Sequence, residues 1–258
     1  MALYTTEIAS DQIASDNPIH QRLLRPYQLI ADSVKGKNVL EVGCGEGRGV
    51  GLMISNAKSF TAIDKIEEVV KSLAVQYPEG KFRQMFIPPF GEIADNFYDV
   101  VVSFQVIEHI KDDALFLSEI YRVLKPGGKA FITTPNRIMT LTRNPWHIRE
   151  YTASELTKLA STIFSKVEMK GIAGNDKVME YYDQNKRSVE KITRFDILNL
   201  QHRLPAFLLR IPYDLLNRLN RNKLKSGNNS LVLSITAEDY LLSESPETSL
   251  DLFLHLEK

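Results

Sequence analysis

Short runs of apolar residues alternate along this chain with stretches in which apolar positions recur every three or four residues. Leu23, Leu24, Tyr27, Leu29, Ile30 and Val34 follow the second pattern and predict a helix over residues 18–34, with Pro26 at a turn or kink. Gly36 breaks it. Residues 39–42, 60–63, 81–85, 130–134 and 164–172 read as strands, and 100–103, four apolar or small residues in a row, as a strand buried on both faces. Residues 50–55, 67–75, 113–124 and 153–161 read as the helices between them, with Leu115, Phe116, Ile120 and Val123 turned inward in the third. Strands alternating with helices predict an α/β fold built on a mostly parallel sheet. Residues 175–222 depart from the alternation. They are rich in charge and helix formers and predict two or three helices separated near Pro205 and Pro212, followed by a loop at 226–230.

Composition narrows the class. The 258 residues suit one large domain or a domain with an appendage. Lys+Arg and Asp+Glu balance at 32 each, so nothing favours a nucleic-acid partner. The single cysteine, Cys44, excludes an internal disulfide and suits a reducing, cytoplasmic setting. The first residues carry Glu7 and Asp11 without an apolar core, and no apolar run approaches the ~20 residues that span a bilayer.

The chemistry concentrates in N-V-L-E-V-G-C-G-E-G-R-G, residues 38–49. An apolar strand runs into a glycine turn, Gly43-Cys44-Gly45-Glu46-Gly47. Such a turn lets a ligand lie against backbone with no Cβ in the way. The dinucleotide fingerprint G-x-G-x-x-G fails, because Arg48 stands at the sixth position. Glu41 and Glu46 flank the turn, where they would repel a pyrophosphate and welcome a cation. About 20 residues on, where an acid holds ribose hydroxyls, Asp64 ends the second strand. A ribose ligand with positive charge and no phosphate fits all three facts, and S-adenosylmethionine is such a ligand.

Four ordered segments now carry a resemblance: V-L-E-V-G-C-G-E-G, A-I-D, F-Y-D-V-V-V-S-F-Q-V-I-E-H-I and L-K-P-G-G-K-A-F-I-T-T-P. Over residues 34–172 the chain resembles class I S-adenosylmethionine-dependent methyltransferases, in the small-molecule branch that includes ubiquinone-biosynthesis-like enzymes. The resemblance implies a Rossmann-like, seven-stranded sheet with an antiparallel last strand. It implies an N-terminal arm and helix acting as a lid (1–33), a cofactor-binding core (34–174), a helical cap insertion (175–229) and a closing strand (230–258). Cofactor contacts would come from Glu41, Gly43, Cys44, Gly45, Gly47, Asp64 and Lys65, and from Phe104 and Gln105 at the end of the fourth strand. Many relatives place an acid after the third strand for the adenine amino group. Here Met85 and Phe86 stand in that stretch, which would hold adenine through backbone and apolar contact.

Two histidines are candidate bases for an acceptor hydroxyl. His109 follows the fourth strand, where many relatives keep a histidine, and acts as a base or as a structural or substrate contact. His147 lies in W-H-I-R-E-Y, a segment similar to ones in methyltransferases acting on sugars or small hydroxylated metabolites. In that segment Trp146, Arg149 and Tyr151 are candidates for the acceptor, and so is Tyr27 near the N-terminus; packing is the alternative for each. No Cys/His/Asp/Glu set has zinc spacing, so no catalytic metal is expected. The expected reaction is O-methylation of a sugar or quinone-like molecule. N-methylation is an alternative within the family; NAD-linked oxidoreduction and non-catalytic cofactor binding are alternatives outside it. A homodimer through the insertion is an expected partner, besides the small-molecule acceptor.

Overall fold

The structure is a computed structural model, and it describes residues 13–194, 196 and 199–258. The outer part of the expected N-terminal arm, and Phe195, Ile197 and Leu198 of the insertion, lie outside the described residues.

The strands are β1 Asn38–Val42, β2 Ser59–Asp64, β3 Lys81–Gln84, β4 Tyr98–Phe104, β5 Leu124–Pro135, β6 Lys166–Gly174, β7 Tyr240–Ser243 and β8 Asp251–Glu257. They form one sheet in the order β3-β2-β1-β4-β5-β8-β6-β7. The first five are parallel, β8 lies antiparallel between β5 and β6, and β7 adds an antiparallel edge to β6. The sheet thus has eight strands where seven were expected. The extra one is the four-residue β7, too short for its apolar pattern to mark it.

Both faces of the sheet are covered. Val39, Val100, Val102 and Phe131 point into one core layer, and Leu40, Val42, Val101 and Ile132 into the other. This is why the central strands read as continuous apolar runs. The one helix predicted over 18–34 is two, α1 Asn17–Leu29 with Pro26 inside it and α2 Ala31–Val34 after a break at Ile30. Helices α3 Val50–Asn56, α4 Glu67–Gln76, α5 Asp113–Val123 and α6 Ala153–Ala160 follow the predicted order, but in α5 Leu115 is exposed and Leu117 is buried with Phe116, Ile120 and Val123. In α6, Thr152 and Glu155 form a reciprocal capping box that fixes the helix start. The Lys125–Gly128 turn is a bulge within β5, where pairing with β4 jumps from Tyr98↔Leu124 to Val100↔Lys129. Gly127 takes the left-handed conformation that the turn requires, at φ +75°.

Between β6 and β7 come α7 Asp176–Thr193, α8 Leu200–Arg203, α9 Ala206–Gly227 and α10 Asn229–Ser234. Two expectations fail here. Pro212 does not separate helices but lies inside α9. Packing on both sides of it overrides its propensity: the Arg210 guanidinium sits 4.2 Å from the Trp146 ring centre, and Asp214 accepts a hydrogen bond from Trp146 Nε1. The polar stretch at 226–230 is a junction of one residue, not a loop, because the Asn228 side chain accepts from Leu231 N–H and starts α10 at once. The helical insertion therefore runs past 229. The outward face of α9 leaves Phe207, Ile211, Leu215 and Leu219 exposed. Among the described residues no helix is long and apolar enough to cross a membrane.

Candidate active site

The chain leaves β1 at Val42 and bends through Gly43, Gly45 and Gly47, at φ +80°, +48° and +81°. Side chains rarely tolerate these values. A Cβ on Gly43 would stand 2.5 Å from Val106, so the turn rests directly on the loop that follows β4. Asp64, at the end of β2, accepts from the Gly45 N–H at 2.9 Å and from the Ile66 N–H at 3.0 Å. Each of these bonds takes one lone pair, and a carboxylate has about four such sites. Ile66 occupies the cap position of α4.

Glu41 lies beneath the turn and is almost wholly buried. Tyr27 donates to its Oε1 at 2.6 Å, while its Oε2 is buried with no hydrogen-bond partner. Burial, opposed by the Tyr27 hydrogen bond and assisted by the nearby Asp64 charge, raises the Glu41 carboxyl to about 7. Burial and the same two carboxylates push the Cys44 thiol far above its ordinary range, so it packs as a small apolar group. Glu46 is exposed, and Arg48 donates to the His20 carbonyl. Beside the turn, Lys65 and Phe86 are exposed and Met85 is partly buried.

The Glu41 shift has a measurable consequence. Its folded-state pKa exceeds the unfolded value near 4.5, so its contribution to stability is complete below pH 4.5 and is lost as pH rises toward 7. The stability advantage of wild type over Glu41→Gln is expected to shrink by a few kcal/mol between pH 4.5 and 7.5 in denaturant titrations. A constant difference across that range would contradict the assignment.

At the carboxyl end of β4 the chain passes Phe104 and turns at Gln105, a non-glycine residue held at φ +59°. The Gln105 N–H donates to the Thr133 carbonyl at 2.9 Å. Strain of this kind persists where the surroundings fix it, and it gathers at functional sites. A 3₁₀ turn, Ile107–His109, follows. Its Glu108 carbonyl accepts from Ile148 and Arg149 N–H, which ties the 144–150 loop to it.

This tie brings Glu108, His109 and His147 together, with ligand-type atoms all within 4.8 Å of one another. The two imidazole rings meet edge to face at 5.0 Å. His109 Nδ1 lies 3.0 Å from the Trp146 carbonyl, so Nδ1–H donates there in the neutral ring. Burial, aided by His147, holds the His109 imidazole down at about 4, so the ring is neutral near pH 7. His147 Nδ1 is 2.6 Å from Glu150 Oε1, and Glu150 Oε2 accepts from Thr140 at 2.6 Å. His147 Nε2 is 2.8 Å from Asn144 Nδ2. Glu108 is buried, accepts from Thr134 Oγ1 at 2.9 Å, and is raised by burial to about 7.

The cluster faces a cavity of about 290 Å³ between α1, the sheet edge and helices α7 and α9. Its wall is mixed: aliphatic side chains and the rings of Tyr181, Tyr182, Tyr213 and Tyr240 alternate with polar groups. Arg22 pairs with the buried Asp251 at 3.2 Å. Asn220 donates to Asn185 at 2.7 Å, while its own Oδ1 is buried without a hydrogen-bond partner. Arg221 lines the wall and pairs with the buried Asp16.

Of the residues singled out from sequence, Gln105, His109 and His147 line this cavity. Tyr27, Trp146 and Tyr151 do not, and each has a physical reason. Tyr27 is buried against Phe104, with ring centres at 4.7 Å, and close against Gly49, where it serves Glu41. Trp146 is held by Asp214 and Arg210 of α9. Tyr151 is wholly buried and donates to Asp113. Arg149 also pairs with Asp113 and lines an adjoining recess with Arg137 and Arg143. Sequence reasoning missed Arg22, Glu150, Thr134 and Asn220. Only Glu150 left a local signal, three residues after His147; the others arrive through tertiary contacts.

Comparison with known proteins agrees with this geometry. Residues 40–132 match the family model of a methyltransferase domain. The chain is 40% identical over 161 residues to a probable S-adenosylmethionine-dependent methyltransferase of Mycolicibacterium smegmatis, an alignment covering 60% of this chain and 62% of that protein. It is 32% identical over 111 residues to a ubiquinone biosynthesis O-methyltransferase of Pseudomonas paraeruginosa, covering 40% of this chain and 46% of that one. The chain thus spans about half to three-fifths of these curated relatives. A solved structure from Thermotoga maritima, described as an S-adenosylmethionine-dependent methyltransferase and possible histamine N-methyltransferase, superposes with a TM-score of 0.54. It covers 93% of this chain and 92% of that one at 14% identity, a likeness of fold alone.

Proposed function

This chain carries a class I S-adenosylmethionine-dependent methyltransferase domain, from which we propose that it methylates a hydroxyl oxygen of a small, sugar-like acceptor held in the 290 Å³ cavity. The observation that carries the reading is the left-handed glycine turn lying between Asp64 and a buried Glu41 whose Oε2 has no partner. Two neighbouring acids favour a cationic ligand, whose approach would draw Glu41 into its charged form, and disfavour a pyrophosphate. S-adenosylmethionine fits: Glu41 Oε2 would take its amine, Asp64 its ribose hydroxyls, and Lys65, Met85 and Phe86 would stand on the adenine side. Bound there, it supplies an electrophilic methyl group on a positively charged sulfur.

The chain's own work is alignment and proton removal. Holding acceptor and donor in register contributes several kcal/mol in such reactions. The acceptor's hydroxyl proton leaves at the Glu108–His109–His147 cluster, the group of titratable side chains that faces the cavity. We take a sugar-like acceptor over a quinone-like ring because Arg22, Asn185, Asn220 and Arg221 bring hydrogen-bonding groups to the wall beside its tyrosine rings. A cytoplasmic setting accords with the lone reduced cysteine.

Turnover of S-adenosylmethionine against a panel of sugars, polyols and hydroquinones tests the reading. Sugars or polyols are expected to be consumed with formation of a methyl ether. Asn220→Ala should raise KM for the preferred acceptor about 5- to 30-fold, the worth of one buried hydrogen bond, with cofactor affinity unchanged. Turnover of hydroquinones alone would overturn the sugar assignment.

A further inference from the structure

Glu108, His109 and His147 share a feature that proton transfer alone does not require: each is held from behind by a second group. His109 Nδ1 is turned to the Trp146 carbonyl and His147 Nδ1 to the Glu150 carboxylate, which in turn takes the Thr140 hydroxyl. Glu108 holds the Thr134 hydroxyl on Oε2. Metal-binding histidines almost always donate their other ring N–H to a carboxylate or backbone carbonyl, and ligating carboxylates are themselves hydrogen-bonded. Two histidines and one carboxylate leave open positions for substrate, and here the open side is the 290 Å³ cavity.

We propose that Glu108, His109 and His147 bind a first-row transition-metal dication whose open position takes the acceptor's hydroxyl oxygen. The inference rests on the methyltransferase reading and adds to it how the proton is removed. With Nδ1 of each ring engaged, Nε2 is the ligating nitrogen. Donors about 2.1 Å from one metal lie roughly 3.4 Å apart. The three residues, now within 4.8 Å, need to draw in by little more than an ångström. The contact of Asn144 Nδ2 with His147 Nε2 must yield. Two imidazoles and a carboxylate suit zinc, iron, cobalt or manganese better than the all-oxygen shells of magnesium or calcium. Metal coordination lowers the pKa of a bound hydroxyl. Its O–H bond breaks, the oxygen keeps the electron pair, and the proton passes to water. The oxygen then attacks the methyl carbon, whose electron pair leaves with sulfur.

Sequence spacing does not show this set, because His147 lies 38 positions beyond His109 and reaches it only through the Glu108 carbonyl that holds the 144–150 loop.

The test is titration of the chelator-stripped full chain with Co²⁺, read by visible absorption, beside calorimetry with S-adenosylmethionine on the same metal-free protein. The expected result is saturable uptake of one ion per chain, with the bands of a nitrogen–oxygen site. His147→Gln should abolish that uptake, and Glu150→Gln should weaken it about 10- to 100-fold. Asn144→Ala, by removing the competitor for Nε2, should bind at least as tightly as wild type. Circular dichroism and cofactor binding check that each variant is folded. Stoichiometric uptake unchanged in folded His147→Gln, or no uptake in either wild type or Asn144→Ala, overturns the metal site. If S-adenosylmethionine binds and an acceptor is methylated at full rate with chelator present, the metal proposal falls while the methyltransferase reading stands. Absence of cofactor binding to the metal-free protein would strike that reading instead.

Discussion

Asp64→Ala is expected to weaken S-adenosylmethionine binding by roughly two orders of magnitude or more. The carboxylate stands at the end of β2, buried and held at both oxygens by the Gly45 and Ile66 amides. Those bonds fix its direction, and its remaining lone pairs serve two vicinal hydroxyls. Hydrogen bonds to a charged group contribute about 1.5–3 kcal/mol each, and two of them give a loss of at least ~10²-fold in affinity. Calorimetry with S-adenosylmethionine and with its demethylated product measures the loss directly. Asp64→Asn should fall between the two proteins, since the amide oxygen can still accept from Gly45. An unchanged affinity in Asp64→Ala would mean that the carboxylate serves only to tie down the glycine turn.

His109→Ala is expected to lower kcat by about 10²- to 10⁴-fold while leaving cofactor affinity unchanged. The ring is neutral near pH 7 because burial and His147 hold its pKa at about 4, so one ring nitrogen stays unprotonated throughout the neutral range. It lines the acceptor cavity, and its loop touches the glycine turn through Val106. The loss should therefore appear in the chemical step, in single-turnover measurements with a consumed acceptor. A raised KM with normal kcat would instead place His109 among the groups that merely contact the acceptor.

The core of the fold was legible because its strands are buried on both faces and its helices on one. Val100 to Ser103 reads as a strand because three valines and a small residue in a row suit a strand covered on both faces. The glycine turn was legible for a related reason: left-handed backbone leaves its mark in residue identity. The insertion was harder. Pro212 signals a break, yet tertiary contacts of Arg210 and Asp214 with Trp146 carry α9 through it. Four polar residues around Asn228 signal a loop, yet one side-chain cap joins two helices there.

At the site, single residues were readable and their assembly was not. His109 and His147 stand out by type, and Asp64 by its place after a strand. The pairing of the histidines depends on the Glu108 carbonyl holding the amides of Ile148 and Arg149, a backbone contact with no sequence signature. Trp146, Arg149 and Tyr151 are conspicuous as types and share the loop of His147. The same loop turns them toward α9 and Asp113 instead of into the cavity. Arg22 and Asn220 lie on helices almost 200 positions apart and meet only in the folded wall of the cavity.

The account depends on a match of charge at the turn between β1 and α3, and calorimetry of the wild-type chain with S-adenosylmethionine and with NAD tests it most directly. Saturable binding of S-adenosylmethionine at one site per chain, with no detectable heat from NAD under the same conditions, is the predicted result. Binding of NAD in place of S-adenosylmethionine would show that the turn accepts a pyrophosphate despite Glu41 and Asp64, and would contradict the account.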